Sequence, residues 1–478
     1  MTDTATAVQT WPFLLAGEFR SGTAAWDIRS PFSGELIGRA ALASQGEVTA
    51  AIDAAAACAA EAAAMPTHAR ASVLDRIADV VTERKEELAR LLAEEAGKPV
   101  GAARTELDRT IFVFRQGSEE AKRISGVVMP MDLMAHGEKR WGLTRRFPLA
   151  PISAITPFNY PLLLAAHKLS PAIACGATMV LKPPPQDPLS TMLLAEIVNE
   201  TGYPAGALSI LPCTNDDAAP LLDDPRVRVI SFTGSARVGW MIRQRAPMKR
   251  VALELGGNAA VLIEPDADLD RAVARCVYGG YTYSGQSCIS AQRILVHERL
   301  YDAFVERYVA AVRRLRTGDP LDDATDVGPM IDEANAVRAE AWIKEALAGG
   351  ARLAAGGQRN GAILEPAVLL DTTSEMKVNC DELFAPATTV RRYADFDAAL
   401  AMVNDSPYGL QAGLFTNDMR RIMRAFEVLE VGGLIINDVS GFRVDHMPYG
   451  GVKQSGAGRE GVHWAIEEMT EVRLMVLG

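Results

Sequence analysis

Cysteine and histidine are scarce, at six residues each in 478. The cysteines, Cys58, Cys175, Cys213, Cys276, Cys288 and Cys380, form no CxxC pair and no closely spaced set, which excludes a disulfide framework or a zinc ribbon. No histidine stands four residues from another, so the simplest helical metal site is missing and no metal is expected. Also missing is any apolar run of membrane-spanning length, and the opening MTDTATAVQTWPF has neither the basic start nor the apolar stretch of a secretory signal. A cytoplasmic protein with no membrane partner is the expectation. Positive charge is in deficit: 49 Lys and Arg face 60 Asp and Glu, and the basic stretches Lys139–Arg146 and Arg243–Arg250 are short. No nucleic-acid partner is expected.

What is present is apolar material, 49 % of the chain, enough for large cores in two or three domains. An Ala-rich stretch predicts a helix from about Ser44, where Glu47 stands three residues after the cap. A second helical region is expected over Thr67–Ala96, ended by Gly97 and Pro99. Beyond it, short β runs are expected to alternate with helices. The predicted strands are Pro151–Thr156, Thr178–Leu181, Leu208–Leu211 and Val227–Phe232, with a helix at Leu189–Thr201 and a short helix or turn at Ala218–Leu222. This rhythm implies an α/β fold with a largely parallel sheet. A junction near Leu253 precedes a second strand-and-helix region from about Asn258 to Glu430. Two further β segments, Lys139–Phe147 and Val472–Val476, suit exposed pairing elements.

Four Gly-containing segments carry the chemical signal. Gly234, Ser235 and Gly239 follow the strand ending at Phe232, a place where backbone N–H groups and a helix start can meet a phosphate, although the spacing is not GxGxxG. Glu254 lies between Leu253 and Leu255 beside Gly256–Gly257, where burial would raise its pKa as a general base requires. Cys288 follows Gly285 in a turn expected near a helix start, which would favour the thiolate. Met447–Gly451 is a fourth, shaped loop containing Tyr449.

With Thr156–Pro161, Leu181–Pro183, Phe232–Ser235, Glu254–Gly257, Gly285–Cys288, Glu382–Pro386 and Pro448–Gly451 in this order, the chain resembles the aldehyde dehydrogenase superfamily from about residue 12 onward. The resemblance implies a Rossmann-type NAD(P)-binding domain (1–125 and 148–254), a second α/β catalytic domain (255–435), a β oligomerisation element (126–147 and 462–478) and a returning segment (436–461) lining the site. A homodimer or dimer of dimers is implied with it. By the same resemblance Cys288 attacks an aldehyde, Asn159 and the Cys288 backbone N–H hold the oxyanion, Glu254 activates the water that cleaves the thioester, and Lys168 supports the site. The implied cofactor contacts are Thr156, Pro157, Phe158, Lys182, Pro185, Phe232, Gly234, Ser235, Gly239, Leu255, Glu382 and Phe384.

Several positions depart from the family pattern. Pro185 stands where many members carry a ribose-binding Glu, which makes NADP admissible, while the absence of an arginine from Lys182–Ser190 keeps NAD as the expected acceptor. Asn258, Asp381 and Ala385 replace a common Lys, Glu and Gly. Substrate contacts are expected from Tyr160, Leu163, His167, Ser287, Arg443, Tyr449 and Arg115. His167 is expected to face the aldehyde tunnel, one helical face with Asn159 and Leu163. Arg443 could meet an anionic or hydroxylated tail, or simply pair with Asp445. A small hydroxylated or anionic aldehyde is the expected substrate, with the lactaldehyde and glyceraldehyde branch the nearest in wording. The alternatives are a CoA-acylating semialdehyde dehydrogenase, which generally lacks a carboxylate matching Glu254, a cofactor-independent thiol esterase, and a catalytically silent homologue.

Overall fold

Seven strands from residues 13–254 and one from near the C-terminus, Gly456–Ala457, build an eight-stranded sheet. A computed structural model describes residues 9–478; Met1–Val8, part of the stretch read for a leader, lie outside the described residues. Five of the eight strands run parallel, in the order Arg250–Glu254, Val229–Thr233, Ile152–Ile155, Met179–Lys182, Leu208–Ile210. The chain moves outward from Ile152–Ile155 through two strands, then returns to the other side of that strand with Val229–Thr233. Order therefore reverses between these two strands, and in doubly wound sheets ligands bind beyond the carboxyl ends at such a switch. The segments leaving the two strands are Thr156–Asn159 and Gly234–Ser235.

A second, seven-stranded sheet takes over where the first ends. Arg250–Glu254 belongs to the first sheet and Ala260–Ile263 to the second, so the chain changes sheets between Glu254 and Ala260. Its order is Arg352–Ala355, Ala367–Leu370, Ala387–Tyr393, Arg293–His297, Ala260–Ile263, Gln411–Phe415, Gly433–Ile436, parallel except for the first pair.

The helix predicted from Ser44 runs Gln45–Ala64, with Glu47 Oε2 accepting from the Ser44 N–H at 2.8 Å and Ser44 Oγ accepting in return. The region expected over Thr67–Ala96 is two helices, Thr67–Glu83 and Lys85–Ala96, broken at Arg84. Pro99 does not end helical structure: it stands at the cap of a further helix, Val100–Ala121. Proline tolerates that place because the first helical N–H groups need no partner, and the β-branched and aromatic run Ile111–Phe114 hid the helical period. Residues 9–43 form five short strands, two of which extend the first sheet.

Trp141–Pro148 pairs antiparallel with Thr470–Leu477 along its whole length, and Val128–Pro130 adds a third strand. Val472, Leu474, Met475, Val476 and Leu477 stay exposed on this ribbon. Among the described residues no single helix is long and apolar enough to cross a membrane, and no group of three or more His, Cys, Asp or Glu side chains could hold a metal ion.

Candidate active site

A cavity of about 360 Å³ opens at the switch point, between the two sheets. Its wall includes Pro157, Phe158 and Asn159 from one strand exit, Gly234 and Ser235 from the other, Glu254, Cys288, Glu382 and Phe384, and Arg443, Tyr449 and Glu460 from the returning segment. Tyr160, Leu163, Ser287 and Leu255 line it as well.

Cys288 reaches the cavity through a strained turn. Helix Leu269–Tyr281 ends, and Tyr283, Ser284 and Gly285 follow with φ of 49°, 54° and 67°. Two of the three carry side chains, so tertiary bonds must hold what the backbone disfavours. Tyr283 donates to the Ala96 carbonyl at 3.1 Å, Ser284 to the Gly328 carbonyl at 2.7 Å, and Gln286 Oε1 accepts from the Ile331 N–H at 2.9 Å. No helix starts at Cys288: the residues after it form a turn and then strand Arg293–His297. The expected helix-end activation is therefore absent, and burial pushes the thiol pKa up to about 11. Its hydrogen-bond partner is the Tyr449 hydroxyl, 2.8 Å from Sγ.

Asn159 faces the sulfur's turn. Its Nδ2 donates to the Gln286 carbonyl at 3.0 Å, which uses one of two N–H bonds, while Oδ1 has no partner. Beneath it lies a buried ion pair that sequence reading missed. Lys98 Nζ contacts Glu106 and donates to the Asn159 carbonyl at 2.7 Å, and Glu106 Oε1 accepts from the N–H groups of Leu162 and Leu163 at the start of helix Pro161–Cys175. One carboxylate thus caps the helix and fixes the lysine that fixes Asn159.

Glu254 ends its strand inside the cavity, with Oε2 buried and unpartnered. Burial and the neighbouring Glu460 carboxylate hold its pKa well above the usual range. Burial would raise Glu460 too, but His167, Arg443 and Lys168 outweigh it and hold Glu460 low. The pair is thus split, one carboxyl tending to keep its proton and the other to lose it. Lys168 does not line the cavity; it donates to Ser231 Oγ at 3.1 Å and Thr233 Oγ1 at 2.8 Å, on the side of these carboxylates.

On the returning-segment side the expected substrate residues divide. Arg443 lines the cavity, donates to Glu460 at 2.6 Å and lies 3.7 Å over the Tyr449 ring. His167 does not face the tunnel: it is fully buried, with Nε2 3.0 Å from both Asp445 Oδ1 and Arg443 Nη2. The helix begins at Pro161, after Asn159, and only Leu163 of the predicted face reaches the cavity while His167, one turn on, turns into the protein. Arg115 is excluded outright, since it points outward from Val100–Ala121 and pairs with Asp75 and Asp79. Arg109, six residues earlier on the same helix, points inward instead. Arg109 lines the cavity and grips Asp445 through Nε at 2.9 Å and Nη2 at 2.7 Å. Sequence spacing gave no signal for it, because its partner is 336 residues away.

The opposite end suits a nicotinamide nucleotide. Ser235 precedes helix Ala236–Arg245 and makes no side-chain cap bond, so the first helical N–H groups remain available to a phosphate. Phe158 and Phe384 meet edge to face at 5.9 Å, and Glu382 Oε1 accepts from the Gly257 N–H at 2.9 Å, leaving its second oxygen to the cavity. A Cβ at Gly256 would strike that carboxylate, so a larger residue there would push the Glu382 side chain aside. Burial pushes the Glu382 pKa up to about 7. Phe232 lies behind Gly234, where a Cβ would meet its ring at 2.6 Å, and Gly239 leaves room for Leu255. Thr156 and Lys182 are buried just outside this cavity, bonded through Thr156 N–H to the Lys182 carbonyl at 3.2 Å, while Pro185 is exposed beyond them.

Comparison with known proteins agrees with this geometry. Residues 19–475 match the model of the aldehyde dehydrogenase family. The chain is 44 % identical over 413 residues to 3-sulfolactaldehyde dehydrogenase of Priestia aryabhattai, covering 86 % of each protein. It superposes on aldehyde dehydrogenase 21 of Physcomitrella patens, solved with the reaction product succinate, with a TM-score of 0.97 and 41 % identity over 98 % of both chains. Glyceraldehyde-3-phosphate dehydrogenase of Methanocaldococcus jannaschii, solved with NADP, gives 0.92 and 37 % identity over 95 % of this chain and 99 % of that one. A family match over nearly the whole chain and these superpositions show that the chain belongs to the aldehyde dehydrogenase family: it is an NAD(P)-dependent enzyme that oxidises an aldehyde to a carboxylate.

Proposed function

We propose that the protein oxidises a short aldehyde bearing an anionic tail, with Cys288 as nucleophile and Glu254 as base. The observation that carries the substrate reading is the pair of arginines, Arg109 and Arg443, lining the same cavity as Cys288. Two guanidiniums beside the reacting sulfur suit a substrate that carries negative charge, and the Asp445 and Glu460 carboxylates hold them in place. The relatives point the same way in their names, through a sulfonated aldehyde, a bound succinate and a phosphorylated aldehyde.

Cys288 Sγ adds to the aldehyde carbon, and the charge that forms on the carbonyl oxygen meets the free Asn159 Nδ2–H and the Cys288 backbone N–H. When bound, the nicotinamide supplies the acceptor for the aldehyde hydride. Gly234, Ser235, Glu382 and Phe384 are the residues to hold that nucleotide, with Lys182 and Pro185 toward its adenosine end. Cys288 is left as a thioester, and Glu254 takes a proton from the water that attacks it, releasing the acid and the sulfur. Lys168 and Arg443 favour the ionised form of Glu254 that this step needs. Glu254 also favours hydrolysis over transfer to CoA. The exposed ribbon of Trp141–Pro148 and Thr470–Leu477 is read as the surface for self-association into a dimer or a dimer of dimers.

The test is a matched pair of short aldehydes, one ending in a carboxylate and the other in its methyl ester. A kcat/KM at least tenfold higher for the carboxylate is expected. Equal values would remove the anionic tail from the reading while leaving the oxidation intact.

A further inference from the structure

The Cys288 thiol lacks the usual sources of activation. No helix start points at it, His167 lies outside the cavity, and Lys168 is committed to Ser231 and Thr233. Across the cavity Glu254 and Glu382 act against an anion at this position. Yet one neighbour is placed for the sulfur alone. Tyr449 is 3 % exposed, and its hydroxyl makes one hydrogen bond, to Sγ at 2.8 Å. The guanidinium of Arg443 lies 3.7 Å over the same ring.

We infer that Tyr449 is a further catalytic residue, whose hydroxyl donates to Cys288 Sγ and holds the sulfur in its anionic, nucleophilic form. The direction of the bond follows from the two acids: a phenol that burial makes a still weaker acid keeps its proton beside a thiolate, giving O–H···S⁻. Arg443 works through the ring. A cation over the π face draws electron density from the phenol and makes its O–H a stronger donor, and its charge adds directly to the stabilisation of the sulfur. When sulfur attacks the aldehyde carbon its negative charge passes to the carbonyl oxygen, and the hydroxyl is released from a sulfur that no longer needs it. Tyr449 therefore acts on the free enzyme, before the tail of any aldehyde is read, and the inference stands apart from the choice of substrate.

The experiment is the alkylation rate of Cys288 by iodoacetamide, read by mass spectrometry of its peptide between about pH 6.5 and 9 in wild type and Tyr449→Phe. Phenylalanine keeps the ring under Arg443 and removes only the oxygen. Each unit of rise in thiol pKa cuts the thiolate tenfold but makes it roughly threefold more reactive, so a net slowing of about threefold per unit is expected at every pH. kcat/KM should fall by one common factor for charged and neutral aldehydes. Phenylalanine is also the smaller residue, so simple access would make alkylation faster; an equal or faster rate overturns the inference. The buried Cys276 in the same digest reports unfolding. Should it react, 3-fluorotyrosine at 449, a stronger donor of nearly the same size, provides the second arm: faster alkylation is expected, and an unchanged or slower rate overturns the proposal.

Discussion

Arg109→Met separates recognition of the tail from the chemistry. Asp445 occupies Nε and Nη2 of this arginine, which leaves Nη1 as the part of the fork without a bond among the described residues. Methionine keeps the apolar bulk on the helix and removes that donor with its charge. One charge-assisted hydrogen bond is worth about 1.5–3 kcal/mol. A bare Coulomb figure would be larger, but Asp445 already offsets much of the charge, so the lower range governs. It corresponds to a loss of roughly 10- to 100-fold in kcat/KM for a carboxylate-tailed aldehyde. For the methyl ester the expected change is less than about threefold, since nothing on Cys288, Asn159 or Glu254 is touched. Initial rates of nucleotide reduction over a concentration series give both values. An equal fall for both aldehydes would show that Arg109 serves the fold through Asp445 and does not read the tail.

Glu254→Gln should leave a single-turnover burst of reduced nucleotide and slow acid release by at least tenfold; an unchanged steady state would remove Glu254 as base. Because its folded pKa is raised, Glu254 is protonated at pH values where an ordinary carboxyl is ionised, so thioester hydrolysis should climb as pH rises above the ordinary carboxylate range. A flat profile of acid release from about pH 5 to 9 would contradict this. Glu106→Gln leaves Lys98 buried without its counter-ion, a loss of about 3–5 kcal/mol seen as a lower thermal midpoint. Replacing both, Lys98→Met with Glu106→Gln, should be less harmful than the single change, and the reverse order would refute the account. With Pro185 exposed past Lys182, NAD and NADP should both be reduced, and Pro185→Glu should cut NADP use by roughly tenfold through repulsion of the 2′-phosphate. Equal nucleotide ratios before and after that change would place the selecting residue elsewhere.

What the sequence determined by itself was local. The capping box at Ser44 and Glu47, the period of the parallel strands and the ordered motifs around Asn159, Glu254 and Cys288 are written in neighbouring residues, and they sufficed for the α/β class, the family and the aldehyde chemistry. Long-range partners were not legible in the same way. Arg115 and Arg109 stand on one helix that the sequence did not reveal; only packing shows that the first pairs with Asp75 and Asp79 on the surface and the second with Asp445 in the cavity. His167 was legible as a residue one turn from Leu163, but the direction of its side chain depended on the Asp445 carboxylate 278 residues away. Cys288 looked like a thiol at a helix start because glycine and small residues precede helices; three left-handed residues held by Ala96, Gly328 and Ile331 made it a turn without a helix dipole. Motifs record which groups do the chemistry, since each group's identity is local. Which charges surround those groups, and hence their protonation and the tail they accept, is decided by tertiary structure, because burial and Coulomb interaction act between residues that only folding brings together.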